Sequence, residues 1–151
     1  MAPLEDLPAE MLWHNKTGVN YLTTSKNQHI PQYCGSCWTI AATSAMSDRI
    51  KILKNAKFPD VVLAGQPILS CLNDADGAAG CFGGFSHYVY QYVQENGLTD
   101  NTCSMYQARG WTNGLNCTAE MICQNCSPTP SIQHGTCEAV KNYDKWMVTG
   151  Y

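Results

Sequence analysis

One short segment of the chain combines residue types that are typical of nucleophilic catalysis. Residues 28–38 read QHIPQYCGSCW and lead directly into a predicted helix. Cys37 falls in the first turn of that helix, where unpaired backbone N–H groups and the helix dipole favour a thiolate over a thiol. A thiolate is the form of cysteine that attacks a carbonyl carbon. Gln28 carries an amide that can donate a hydrogen bond to the oxyanion that forms.

Two helices are predicted around this segment. The first covers 36–54, and its expected buried face consists of Trp38, Ala41, Ala42, Ala45, Met46, Ile50 and Leu53. The second covers 86–95 and ends at Asn96-Gly97, and its inward residues are Tyr88, Val89, Tyr92 and Val93.

The rest of the chain is predicted to be less regular. Residues 1–33 and 60–86 are expected to form loops, and Gly65 and Pro67 weaken a helix over 63–71. Five cysteines within 100–138 indicate that crosslinks replace regular structure there. A final strand is predicted over 143–148.

Length and charge limit the classes of protein. The 151 residues suit one domain, and 44% hydrophobic residues suffice for its core. The net charge is −3 without a run of Lys or Arg, which disfavours nucleic acid as a partner. No stretch approaches the roughly 18 apolar residues of a membrane span, so none is expected.

Nine cysteines are an odd number, so at least one stays unpaired within the chain. If Cys37 is free, the other eight allow many pairings on sequence alone. Three glycosylation sequons begin at Asn15, Asn116 and Asn125. The first residues lack a basic and apolar leader, so in a secretory protein this chain is expected to be a mature piece.

Several motifs resemble the papain-like cysteine proteases. Residues 34–38 (CGSCW) are similar to the active-site signature of that family. The three residues 29–31 (HIP) resemble a short loop found in its cathepsin X branch, also called cathepsin Z. Further similarity, from Trp13 onward, lies at 18–21, 43–46, 48–50, 81–84, 102–103, 106–108 and 142–143.

The resemblance implies an α+β, papain-like fold that is mainly the helical subdomain, with the central helix at 36–54. The chain is expected to be the N-terminal part of one protease domain. Residues 1–33 would be an irregular N-terminal segment, 34–138 the disulfide-linked helical subdomain, and 139–151 the start of the β subdomain with its first strand.

The resemblance also implies roles for single residues. Cys37 would be the nucleophile, and Gln28 with the Cys37 backbone N–H would form the oxyanion hole. Trp38 would pack beside the site, and the backbone of Gly83 and Gly84 would pair with an extended substrate. In the inserted loop, His29 would bind the C-terminal carboxylate of a substrate, and Tyr33, just after the loop, would help at the same end. The implied activity is that of a carboxypeptidase, without a cofactor or a bound metal.

The same resemblance implies four disulfides: Cys34–Cys81, Cys71–Cys117, Cys103–Cys123 and Cys126–Cys137. A papain-like nucleophile also needs a His and an Asn roughly 130–150 residues further on, from about position 167. We therefore expect these two residues outside the chain. The expected partners are peptide or protein substrates with a free C-terminus, the remaining half of the domain and a propeptide, in the lysosome or outside the cell.

Three alternatives remain open at this point. Cys123, Cys126, His134 and Cys137 are ligand types that suit tetrahedral zinc. Cys34 and Cys37 form a C-x-x-C pair, as in redox proteins, although no βαβ pattern surrounds them. The third alternative is a catalytically inactive papain-like domain that serves a binding or structural role.

Overall fold

The longest helix begins at the candidate nucleophile. In the computed structural model, which describes residues 7–128 and 135–151, helix α1 spans Cys37–Leu53. The remaining helices and strands are α2 (Gln66–Cys71), α3 (Ser86–Asn96), α4 (Ala119–Ile122), β1 (Gln124–Ser127) and β2 (Thr136–Ala139). Helices with one small sheet confirm the α+β class. No helix among the described residues is long and apolar enough to cross a bilayer.

The buried face of α1 differs from the predicted one. Trp38, Ala42 and Met46 are buried, but Ala41 and Ala45 are exposed and Leu53 is 82% exposed. Their places in the core are taken by three hydroxyl residues, Thr39, Thr43 and Ser47, which are fully buried.

Each of these three hydroxyls donates to a backbone carbonyl three or four residues earlier, and Thr43 donates to the Ile40 carbonyl at 3.3 Å. Thr39 donates to the Ser36 carbonyl at 2.9 Å, and Ser47 donates to the Thr43 carbonyl at 2.7 Å. A Ser or Thr that bonds back to the preceding turn can be buried without an unpaired polar atom. Apolar periodicity could not reveal this stripe, because the pattern counted these residues as polar.

Helix α3 packs against α1 with the face that its sequence predicts. Val89 and Val93 are fully buried, and Tyr88 and Tyr92 are partly buried against the same core. Gly97 follows the helix with φ of +73°, a conformation that favours glycine and ends the helix.

Helix α2 is a correction to the predicted loop over 60–86. Pro67 lies in its first turn, where a missing N–H removes no helical hydrogen bond, and Gly65 stands before the helix as its N-cap. Inside the helix, the buried Gln66 amide donates to the Arg109 carbonyl and its oxygen accepts from Gln107 N at 2.8 Å in both cases. These side-chain bonds tie α2 to the loop over 107–109.

The strands also differ from the prediction. β1 and β2 pair antiparallel with Cys126 opposite Cys137, in the region where crosslinks alone were expected. The predicted strand over 143–148 is instead one isolated bridge between Leu98 and Trp146, with N···O distances of 2.9 Å in both directions. Immediately before Leu98, Gly97 N donates to the Val93 carbonyl at the end of α3, so the pairing does not extend in that direction.

Candidate active site

Cys37 is the first residue of α1, and its thiol is exposed and unpaired. The preceding residue, Ser36, is the N-cap, but its hydroxyl makes no capping bond to the helix. The first N–H groups of α1 therefore have no side-chain acceptor from the cap. The thiol and these donors lie together at the start of the helix.

The segment before Cys37 is fixed to the loop over 80–84. Cys34 is fully buried and forms a disulfide with Cys81. Gly35 N donates to the Cys81 carbonyl at 2.7 Å, and a Cβ on Gly35 would lie 2.6 Å from that oxygen. Because the backbones approach so closely, glycine is required at position 35.

Gln28 lies in a turn and is half-buried. Its backbone carbonyl accepts a hydrogen bond from the Tyr106 hydroxyl at 2.7 Å. The same hydroxyl lies 2.5 Å from Ser36 Oγ. Gln28 and the residue before Cys37 thus contact one atom of Tyr106, which brings the candidate oxyanion donor and the candidate nucleophile to one place.

An aromatic pair lies between Gln28 and Cys34 in the chain. The rings of His29 and Tyr33 stack with centroids 4.6 Å apart, and Tyr33 is 78% exposed. His29 Nε2 lies 3.2 Å from the Gln28 amide nitrogen, and its Nδ1 lies 3.4 Å from Cys34 N. Both nitrogens of His29 therefore face N–H donors, whereas a neutral imidazole can accept at only one of them.

Trp38, the residue after Cys37, is in contact with the loop that carries Gly83 and Gly84. The indole of Trp38 is buried and donates to the Gly80 carbonyl at 3.1 Å. A Cβ on Gly84 would lie 2.6 Å from the indole ring, so this backbone packs directly on Trp38. Gly83 has φ of +119°, and a Cβ there would meet no atom within 4 Å, so there is open space on that side of the backbone; the Gly83 carbonyl accepts from Ala79 N at 2.9 Å.

Two of the alternative sites are excluded by the sulfur pairing. Besides Cys34–Cys81, the structure contains Cys71–Cys117, Cys103–Cys123 and Cys126–Cys137, which are the pairs that the resemblance implies. Disulfide sulfurs are not thiolate ligands, so the zinc alternative is wrong; its His134 lies outside the described residues. Cys34 is not paired with Cys37, so the redox pair is wrong as well.

A base for Cys37 is not found among residues 7–128 and 135–151. His14, His29 and His87 are exposed, and none of them hydrogen-bonds to the Cys37 sulfur. The three sequon residues Asn15, Asn116 and Asn125 are exposed as well, which leaves them accessible to modification.

Sequence reasoning gave no role to Tyr106 or Lys26. Tyr106 contacts residues 70 and 78 positions away. The Lys26 ammonium donates to the Leu63 carbonyl at 3.2 Å, 37 positions away, and lies 3.4 Å from Thr43 Oγ1. Local patterns carry no signal for contacts at such separations.

Comparisons with known proteins agree with this arrangement. The profile of the papain family of cysteine proteases matches residues 7–149. Cathepsin Z of Onchocerca volvulus is 40% identical over 97% of this chain and 44% of its own length. Cathepsin S of Bos taurus is 31% identical over 92% of this chain and 39% of its own length. The chain thus spans less than half of these curated relatives.

One solved structure is also similar. A cysteine protease from Carica candamarcensis shares 28% identity, with a TM-score of 0.49 over 60% of this chain and 38% of that one. The profile match covers nearly all described residues and includes the segment that carries Cys37. The chain belongs to the papain family of cysteine proteases.

Proposed function

We propose that this chain supplies the nucleophile of a cysteine-type peptidase. The observation that carries the proposal is that Cys37 stays free and exposed at the start of α1, while Cys34, in the same segment, is held in a disulfide. In the proposed reaction the Cys37 thiolate adds to the scissile carbonyl carbon, and the carbonyl π electrons move to oxygen. The Gln28 amide and the Cys37 N–H stabilise that oxyanion.

The rest of the reaction needs a proton donor and acceptor. An imidazolium protonates the amine as it leaves, a thioester to Cys37 remains, and water then hydrolyses the thioester. We assign this imidazole, and the Asn that orients it, to a second half of the protease domain. The term complete protease is used below for this chain together with that second half.

The proposed substrates are peptides or proteins bound in an extended conformation. Gly83 leaves open space where a side chain would stand, and Gly84 rests on the buried Trp38 ring. A side chain at Gly83 would narrow the space for a substrate backbone, so glycine favours close pairing here. Trp38 supports this strip and does not itself need to touch the substrate.

We further propose that the complete protease is a carboxypeptidase. His29 and Tyr33 are exposed and stack on each other, and His29 stands beside Gln28. An imidazolium can form a charge-assisted hydrogen bond to the terminal carboxylate of a substrate. Because both His29 nitrogens face N–H donors, a protonated ring must turn away from Gln28 and Cys34 before it binds the carboxylate.

The test of this specificity compares two peptides that differ only at the C-terminus, one a free acid and the other an amide. The complete protease is expected to release single residues from the free acid. It should cleave the amide at a rate at least about tenfold lower. His29→Ala should remove most of this preference, whereas His87→Ala, a change in another exposed His, should keep it. Equal cleavage of both peptides by the unaltered enzyme would contradict the carboxylate anchor.

The proposed location is the lysosome or the extracellular space. Four disulfides in one chain suit an oxidising compartment, since cytosolic reductants keep thiols reduced. A propeptide that covers the cleft is a further proposed partner.

A further inference from the structure

Tyr106 makes a directional chain of hydrogen bonds between two parts of the proposed site. Its hydroxyl lies 2.7 Å from the Gln28 carbonyl and 2.5 Å from Ser36 Oγ. A carbonyl only accepts, so the phenol proton goes to Gln28. The Ser36 hydroxyl must then donate to the phenol oxygen. We call this chain, Ser36 to Tyr106 to Gln28, the Tyr106 bridge.

The Tyr106 bridge joins Gln28 to the start of α1. Gln28 lies in a turn, and so no helix or strand fixes its backbone. The residues around Gln28 have hydrogen bonds of their own: the Asn27 side chain accepts from His29 N at 2.9 Å, and Lys26 donates to the Leu63 carbonyl. Neither bond involves the backbone of Gln28. Among the hydrogen bonds of the described residues, Tyr106 alone connects the Gln28 backbone with Ser36.

The surroundings favour a permanent bridge. Ser36 is fully buried, and Tyr106 packs against the core beside it. Burial raises the pKa of Tyr106, although the hydrogen bond to Ser36 acts in the opposite direction. The phenol therefore keeps the proton that it donates to Gln28. A buried serine hydroxyl also needs a partner, and Tyr106 provides it.

We propose that Tyr106 is a positioning residue that fixes the distance between the Gln28 amide and the Cys37 N–H, the two donors of the oxyanion hole. This inference rests on the proposed function of Gln28 and Cys37. Tyr106 acts through Gln28 and does not itself contact the substrate. Two donors at a fixed spacing stabilise an oxyanion without reorganisation, and a shift of one donor weakens that stabilisation.

The experiment compares two reactions of the Cys37 sulfur in the complete protease. A peptide aldehyde forms a C–S bond to Cys37, and its carbonyl oxygen becomes the hemithioacetal oxygen that occupies the proposed oxyanion hole. Iodoacetamide also forms a C–S bond to this sulfur, with release of iodide, but no oxyanion forms. The affinity for the aldehyde therefore depends on both donors, whereas the alkylation rate reports only the thiolate.

Tyr106→Phe is expected to weaken aldehyde binding about tenfold and to change the alkylation rate less than about twofold. Gln28→Ala should weaken aldehyde binding more, and Tyr106→Phe should add little in that background, since it acts through Gln28. Tyr90→Phe is the matched control, because Tyr90 stacks on Tyr151 and has no part in the bridge. This control should alter neither reaction.

A double variant separates positioning from stability. Tyr106→Phe leaves the buried Ser36 hydroxyl without its acceptor, which lowers the melting temperature. Ser36→Ala together with Tyr106→Phe removes both groups, so the melting temperature should recover while the aldehyde affinity stays low. Recovery of the aldehyde affinity in the double variant, or unchanged affinity in Tyr106→Phe, would overturn the inference. If unaltered Cys37 reacts no faster than free cysteine, the proposed function itself fails and the inference falls with it.

Discussion

At the residue scale, the chemistry of the candidate site depends on which thiols and hydroxyls are bonded to other residues and which are free. The Cys37 thiol is free, and its neighbour Cys34 is held by Cys81. The Ser36 hydroxyl is committed to Tyr106 and so does not cap α1. The start of α1 therefore holds a candidate nucleophile beside N–H groups that the Ser36 side chain does not cap, an arrangement that suits oxyanion stabilisation.

Gln28→Ala should lower kcat of the complete protease by about 100-fold to 1,000-fold, the usual effect of removing one oxyanion donor. KM should change less, because the oxyanion exists only after the thiolate has attacked. Gln32→Ala is the matched control: this exposed glutamine donates to the Ala108 carbonyl at 3.2 Å and has no proposed role in the reaction. A similar fall in kcat for both variants would argue against Gln28 as a donor.

At the element scale, α1 is held from two directions. The loop over 80–84 fixes its start through Cys81, and the extended segment before Gln28 is attached to its side through Lys26. Both attachments depend on close packing and on buried polar contacts. A single substitution at either attachment should therefore change the free energy of unfolding.

Gly35→Ala should lower the free energy of unfolding by about 1–3 kcal/mol, since the new Cβ would meet the Cys81 carbonyl and the disulfide beside it prevents the backbones from separating. Gly65→Ala is the matched control, because a Cβ there would lie 3.5 Å from the nearest atom, a side-chain oxygen of Thr39. Urea unfolding of both variants, in a Cys37→Ser background, measures the difference. Equal stability of the two variants would contradict the close approach at position 35.

The charge of Lys26 should make stability depend on pH. Burial lowers the pKa of this ammonium from 10.5, and the nearby Asp48 carboxylate opposes the shift in part. The folded protein therefore binds the proton more weakly than the unfolded chain. The Lys26 contribution to the free energy of unfolding is most favourable above pH 10.5 and declines as the pH falls from there through the lowered pKa.

The corresponding measurement is urea unfolding between pH 7 and pH 10, again with Cys37→Ser, because a free thiolate would exchange with the disulfides at alkaline pH. Compared with the Lys26→Met variant, the protein with Lys26 should gain free energy of unfolding as the pH rises. Lys57→Met, a change in an exposed lysine, controls for the loss of a positive charge. The same pH dependence in both variants would show that burial of Lys26 is not its cause.

At the scale of the whole molecule, the chain carries a candidate nucleophile, candidate oxyanion donors and a candidate substrate-binding segment at Gly83-Gly84, but the described residues offer no base to Cys37. We expect the isolated 151 residues to show no peptidase turnover, because the described residues place no base beside Cys37 that could take its proton and protonate the leaving amine. Addition of the second half should restore activity, and Cys37→Ala should abolish it. Turnover by the isolated chain that depends on Cys37 would reveal a base that the described residues do not show.

Features that depend on residues close together in the chain could be predicted from the sequence, whereas contacts between distant residues could not. Helices α1 and α3 follow from spacing within one helix, and the environment of Cys37 follows from its place in the first turn. Helix α2 differs from the prediction because Pro67, which weakens a helix at interior positions, lies in its first turn, where it is compatible with the helix. The Tyr106 bridge joins residues far apart in the chain, so it appears only when the fold is known.

The most direct test of the central claim, that Cys37 is an activated nucleophile, is covalent labelling of the complete protease with a peptidyl epoxide, followed by peptide mapping under non-reducing conditions. The thiolate should open the epoxide ring and form a thioether at Cys37. We predict label on Cys37 alone, at a rate well above that of free cysteine, and none after Cys37→Ala. Labelling of Cys37 no faster than that of free cysteine would contradict the claim and favour an inactive papain-like domain with a binding or structural role.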